Sequence, residues 1–147
     1  MKKNKKNDSL ENMLLFAWVI SLVATLGSLY FSEIRQYIPC ELCWYQRIFM
    51  YPIVLILGIA VVKKQYNAAL YSAAFSGIGM FISLYHYAIQ KLPAFAKSVP
   101  ACGLVPCNGQ YINWLGFITI PFLALVAFIL IFITNVIILK RLEETNK

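Results

Sequence analysis

Charge is scarce in this chain: Lys, Arg, Asp and Glu together make up 13% of its 147 residues, about half the roughly 25% usual in soluble domains. With 61% of residues apolar, too little polar side chain remains to coat a water-soluble globule, and the same composition excludes intrinsic disorder. Acidic residues number six and histidine is the single His86. The side of the chain that carries the cysteines holds no Ser/His/Asp set, no carboxylate pair and no phosphate-binding glycine loop, so those chemistries have no residues to work with there. Internal repeats and low-complexity stretches are also lacking. A small membrane protein, one integral domain over residues 1–147, is what these absences leave.

Four long apolar runs are present instead. A bilayer core of about 30 Å takes roughly 20 helical residues at about 1.5 Å rise each. Met13–Phe31, Tyr66–Ile89 and Ile112–Leu139 carry no charge, and Cys43–Val62 carries only Arg47 near its start. The runs are continuous rather than alternating, which disfavours a barrel. The expected fold is therefore an all-α, antiparallel four-helix transmembrane bundle. The first run follows lysines, as in a signal peptide, but its 19 residues exceed the 7–15 or so of a signal core and its cleavage site is weak, so it reads as a retained helix.

The net charge of +7 would suit a nucleic-acid binder, but its placement decides otherwise. Lys2, Lys3, Lys5 and Lys6, then Lys63 and Lys64, then Lys140, Arg141 and Lys147 all flank apolar runs. The opposite loops hold only Arg35, Lys91 and Lys97, with Arg47 just inside the second helix. The positive-inside bias then puts both termini in the cytoplasm and the loops at about 32–42 and 90–111 outside the cell membrane. Tyr30, Phe31, Trp44, Tyr45, Tyr85, Tyr87, Tyr111 and Trp114 gather at the outer ends, at the level aromatic rings favour.

Other features bear on packing. Ser72, Ser76, Gly79 and Ser83 recur at helical spacing and predict one small-residue face for close helix contact. Pro52 and Pro121 are expected within the second and fourth helices, bending or breaking them. Lys63–Gln65 is a tight turn that makes helices two and three antiparallel neighbours. The residues before Met13 and after Leu142 are expected to be mobile tails.

All four cysteines fall on the expected outer side, the oxidising one. Four cysteines allow three connectivities. Local pairing is favoured, because a turn through Gly103 and Pro106 can bring Cys102 and Cys107 within disulfide reach, while Cys40-Glu-Leu-Cys43 has the spacing of redox-active pairs. Pro39 turns the chain into a helix at whose N-terminus the unpaired N–H groups and dipole favour a Cys43 thiolate. Arg47 lies one turn deeper on the same face. Either it snorkels to the headgroups, or it stabilises Cys43 and donates a hydrogen bond to an oxygen of a membrane-dissolved ligand. His86 is either an interfacial polar residue or a proton donor to a reduced quinone, for which its ordinary pKa of about 6.5 is suited. The cysteine spacings also suit zinc, but an oxidising compartment and a single histidine argue against a metal centre, and none is expected.

Two cysteine pairs, four spans with both termini inside, and Cys-Glu-Leu-Cys-Trp-Tyr-Gln-Arg at residues 40–47 resemble the DsbB family of disulfide bond formation proteins. The likeness is to its short Gram-positive branch, called BdbC, and residues 110–121 look like that branch's entry into the fourth helix. It covers the chain apart from its tails. The resemblance implies a quinone-dependent oxidoreductase that reoxidises a secreted or membrane-anchored thioredoxin-like thiol oxidase and passes the electrons to a membrane quinone, with menaquinone favoured by the Gram-positive likeness. It implies that Cys102 is attacked by the partner, that Cys107 resolves the mixed disulfide, and that Cys40 and Cys43 reoxidise this pair. Cys43 would then face the quinone beside Arg47, with His86 near. One departure is that Cys102 and Cys107 are close in sequence, where well-known members separate their loop cysteines. The related vitamin K epoxide reductase family places its Cys-x-x-Cys after the shuttle pair, an order this chain does not share. The alternative from another class is a non-enzymatic membrane scaffold or channel subunit with two structural disulfides, which leaves Arg47 beneath a helix-start thiol unexplained.

Overall fold

The computed structural model describes residues 2–92, 115–116 and 118–146. Helix α1, Lys2–Leu29, runs on into a π-helical turn at Tyr30–Ile34. After an irregular stretch come α2, Glu41–Lys63, a short 3-10 turn at Tyr66–Ala68, and α3, Ala69–Lys91. Helix α4 is Ile120–Asn146. Among the described residues there is no strand. Four stretches are long and apolar enough to cross a membrane, Asn7–Ile34, Glu41–Lys63, Tyr66–Lys91 and Ile120–Thr145. The chain is a four-helix membrane protein.

The turn between α2 and α3 is a Schellman arrangement. Lys64 takes the left-handed conformation at φ 53°, Gln65 N donates to Ala60 O at 3.0 Å, and Lys64 N points to Val61 O at 3.4 Å. These bonds satisfy carbonyls that the end of α2 leaves open and fold α3 back antiparallel. At the same end of the bundle Lys64 Nζ lies 3.0 Å from Glu11 Oε2, and Arg141 Nη1 donates to Ser9 Oγ at 2.8 Å.

The ends of the chain differ from expectation. Helix continues through residues 7–12, with Leu10 buried, and α4 extends past Leu142. The ties from Glu11 to Lys64 and from Ser9 to Arg141 join the segment before Met13 to the rest of the bundle. The start of α4 differs too. Leu115 and Gly116 have φ of 55° and 80° and form a turn, which helical backbone does not permit. The fourth helix therefore begins at Ile120 and not at Ile112. Pro121 stands in its first turn, where a missing N–H leaves no bond unmade, and it kinks nothing. Pro52 does lie inside α2, which continues through it as helix.

Small residues set the closest packing. Ser72, Ser76, Gly79 and Ser83 of α3 are all buried, and a methyl group at Gly79 would overlap the Phe128 ring of α4. Asn135 Nδ2 of α4 donates to Ser72 Oγ at 2.8 Å, a polar link inside an otherwise apolar seam. Leu14, Ala17, Ile53, Leu57, Phe128 and Ile131 form the centre of the core between α1, α2 and α4.

Candidate redox site

The N-terminus of α2 is built around Cys40. Its backbone is extended (φ −74°, ψ 170°) and its carbonyl accepts the first helical bond from Trp44 N at 3.1 Å. Cys40 is thus the N-cap and Cys43 lies in the first turn, where unpaired backbone N–H groups gather. One helical turn spans the two positions, and it brings the thiols together: Cys40 Sγ and Cys43 Sγ are 3.1 Å apart, and both are free.

The third member comes from α3. His86 is 1% exposed, and its Nε2 lies 3.6 Å from Cys40 Sγ. Its other nitrogen, Nδ1, lies 3.2 Å from Gln46 Nε2. An amide N–H donated to Nδ1 requires the imidazole proton on Nε2, so that Nε2–H points at the Cys40 sulfur. The Cys40 thiol is pushed down to about 4, chiefly by its hydrogen bond with Cys43; burial opposes this, and the contact with His86 reinforces it. The helix-dipole argument from sequence favoured a Cys43 thiolate; the structure adds a contact to Cys40 from a second helix, which a linear reading does not show.

Cys43 faces another way. It lines a cavity of about 480 Å³ between α1, α2 and α4, whose walls include Val19, Val23, Leu123 and Ala127 and whose polar members are few, among them Gln46 and Arg47. Phe31 of the π-helical turn and Tyr37 and Ile38 of the first loop also line it, with the Phe31 and Tyr37 rings stacked at 6.2 Å. Arg47 Nη2 donates to Ser28 O at 3.1 Å, a carbonyl in the last turn of α1, and the guanidinium carbon lies 5.5 Å from the Trp44 ring centroid. A cation there meets both a backbone carbonyl and the face of an indole. These contacts hold Arg47 in the cavity wall.

The structure thus brings together Cys40, Cys43 and His86, with Arg47 in the neighbouring wall. Cys102 and Cys107 lie outside the described residues. Gln46 escaped the sequence reading. Its signal was present: an uncharged polar residue in an apolar helix three positions after Cys43, 5% exposed in the structure, needs a buried partner. Donor atoms of Cys40, Cys43 and His86 all lie within 4.8 Å of one another.

Comparison with known proteins gives one family. The model for disulfide bond formation protein DsbB matches residues 10–138. A probable disulfide formation protein C from Halalkalibacterium halodurans is 63% identical over 131 residues, which is 89% of this chain and 96% of that protein. Disulfide bond formation protein C from Bacillus subtilis is 59% identical over 127 residues, 84% of this chain and 92% of the relative. A probable disulfide formation protein from Oceanobacillus iheyensis is 51% identical over 142 residues, covering 96% and 97% of the two chains. No solved structure matches the chain significantly.

Proposed function

The chain belongs to the DsbB family of disulfide bond formation proteins, in its disulfide formation protein C branch, and from that premise we propose that it reoxidises a secreted thioredoxin-like thiol oxidase and delivers the electrons to a membrane quinone. The observation that carries this reading is the split environment of one Cys-x-x-Cys. Cys40 is buried against His86, and Cys43 opens onto an apolar cavity that also holds a guanidinium.

The cavity suits a quinone by its chemistry: apolar walls for the ring and its isoprenoid tail, and a fixed cation for a carbonyl oxygen. When bound, a quinone supplies a two-electron, two-proton acceptor. Arg47 would bind and orient it, using guanidinium N–H groups not engaged by Ser28 O. Cys40 and Cys43 give up two electrons as their sulfurs join in a disulfide; the Cys43 thiol releases one proton, and the second proton taken up with the electrons comes from water. The hydrogen bond with Cys43, reinforced by the contact with His86, favours the ionised Cys40 sulfur and so readies it as the nucleophile in that bond formation. Low basicity also makes Cys40 the better leaving sulfur when a thiolate from the second loop attacks Cys43.

On the protein side, Cys102 and Cys107 form the shuttle. A partner thiolate attacks Cys102, Cys107 leaves, and the partner's second thiol closes its own disulfide. The reduced loop pair then reduces Cys40–Cys43. Both termini are cytoplasmic and the cysteines external. Menaquinone is the quinone in this reading.

Purified protein given a reduced thioredoxin-like oxidase and a soluble menaquinone analogue tests the activity, with quinone absorbance as readout. Turnover that requires all four cysteines is expected. Oxidation of the partner without quinone loss would remove the quinone from the reading. Labelling of intact reduced cells with a membrane-impermeant maleimide tests orientation, and labelling only after lysis would invert it.

A further inference from the structure

We propose that the reduced form of the Cys40–Cys43 pair, together with His86, is a binding site for a divalent d10 cation such as Zn²⁺, and that occupancy holds the pair reduced. The argument starts from donor geometry. Zinc takes thiolate sulfur at about 2.3 Å and imidazole nitrogen at about 2.0–2.1 Å in a tetrahedral arrangement, which separates sulfur from sulfur by about 3.8 Å and sulfur from nitrogen by about 3.6 Å. Cys40 Sγ and His86 Nε2 are already 3.6 Å apart. The two sulfurs, at 3.1 Å, need only a small side-chain rotation to open, and all three donor atoms fall within 4.8 Å of one another.

Two further features favour a cation here. The His86 ring is fixed on its far side by Gln46, at 3.2 Å from Nδ1, and a partner on the second nitrogen is what orients a ligating imidazole. With a metal on Nε2 the ring proton moves to Nδ1, and a half-turn of the Gln46 amide presents its oxygen to accept it. Charge is the second feature. Two thiolates, one neutral imidazole and a 2+ ion sum to zero, so the occupied site buries no net charge beside the apolar cavity. The fourth position is left to a water or another small ligand.

The site exists only in one redox state. A disulfide has no thiolates to offer, so the oxidised pair releases the ion. Binding displaces whatever thiol proton the pair still carries and changes no oxidation state. A metal-held pair can neither form its disulfide nor reach a quinone, so free thiophilic cation outside the cell would stall the relay at its reduced stage. That consequence rests on the proposed function; the binding does not.

The test uses full-length Cys102→Ser/Cys107→Ser protein in detergent, reduced with a phosphine under anaerobic conditions and titrated with Cd²⁺. Thiolate-to-metal charge-transfer absorption is the readout, and Zn²⁺ affinity follows by competition with a chromogenic chelator. One ion per chain is expected when reduced and none when oxidised, a comparison that needs no further variant. His86→Ala should weaken binding at least tenfold while keeping the thiolate band, and Gln46→Leu should weaken it about tenfold through the loosened ring. Equal binding by oxidised protein, or an affinity unchanged in His86→Ala, overturns the site. Because no quinone or partner is present, failure here leaves the relay standing. Failure of metal-free protein to reduce quinone would sink the relay and leave the binding site.

Discussion

Two faces of α4 meet the rest of the bundle in opposite ways. Toward α3 it is zipped shut: Phe128 fills the space above Gly79, and Asn135 reaches Ser72. Toward α1 and α2 it leaves a cavity of about 480 Å³, bounded on the α4 side by residues including Ala124 and Ala127. Both faces are apolar and both are solvated by lipid when the helices are apart, so the hydrophobic effect does not separate them. Shape does. Small residues opposite a large ring give close approach, because association in lipid gains from packing and not from leaving water. Small residues opposite a gap give a chamber, and the redox sulfur that opens onto it is Cys43.

The largest effect should come from removing that sulfur. Cys43→Ser is expected to abolish quinone reduction, with a loss of three orders of magnitude or more in stopped-flow turnover; residual turnover within tenfold of wild type would disconnect the cavity from the chemistry. Next is the closed seam. Gly79→Leu forces Phe128 aside and should cost about 1–3 kcal/mol as an overpacked contact, read as a lower unfolding midpoint in detergent. An unchanged midpoint would mean that the α3–α4 contact is loose and that the contrast between the faces is overstated.

Arg47→Ala should raise the KM for quinone about tenfold while leaving thiol exchange with the protein partner intact, and Arg47→Lys should recover only part of it, because an ammonium lacks the planar fork. A KM unchanged in both would return Arg47 to a purely structural tie between α2 and α1. The contact between α3 and Cys40 has a pH signature. With its thiol held at about 4, Cys40 in reduced protein remains a thiolate as pH falls from 8 to 5 and becomes protonated only near 4. Its alkylation rate, read by mass spectrometry, should therefore stay flat over that range and drop below it. In His86→Ala the drop should begin at higher pH. The smallest effect is expected at the far end, where Glu11→Gln breaks an exposed ion pair with Lys64. Such pairs contribute about 0–1 kcal/mol, and a larger shift in the unfolding midpoint would show that this end and not the seam holds the bundle together.

The sequence reading did best where one helix face carries all the information. The four spans, the small-residue face of α3 and the tight Lys63–Gln65 turn follow from runs and spacings within single segments. Errors came at boundaries. A proline within an apolar run looked like a kink at Pro121, yet the positive φ values at Leu115 and Gly116 are not helical and the helix starts only at Ile120, which apolar composition does not register. The tails looked mobile because they are chain ends outside the apolar runs, although Ser9 and Glu11 find partners on α4 and on the α2–α3 turn.

Taken alone, the order of residues determined that this chain must solve its folding problem in lipid, how many times it crosses, and that a Cys-x-x-Cys with an arginine one turn deeper stands at the head of α2. Those are matters of composition and of periodicity along one helix, so they need no knowledge of neighbours. Only the tertiary structure decided which sulfur meets His86 and which faces the cavity. Cys40 and His86 are 46 positions apart, and their contact depends on the rotation of α3 about its own axis as its small face packs on α4. The placing of Arg47 likewise waited on where the last turn of α1 leaves the Ser28 carbonyl. Rotation about a helix axis is set by packing against neighbouring helices, and no local pattern in the chain records it.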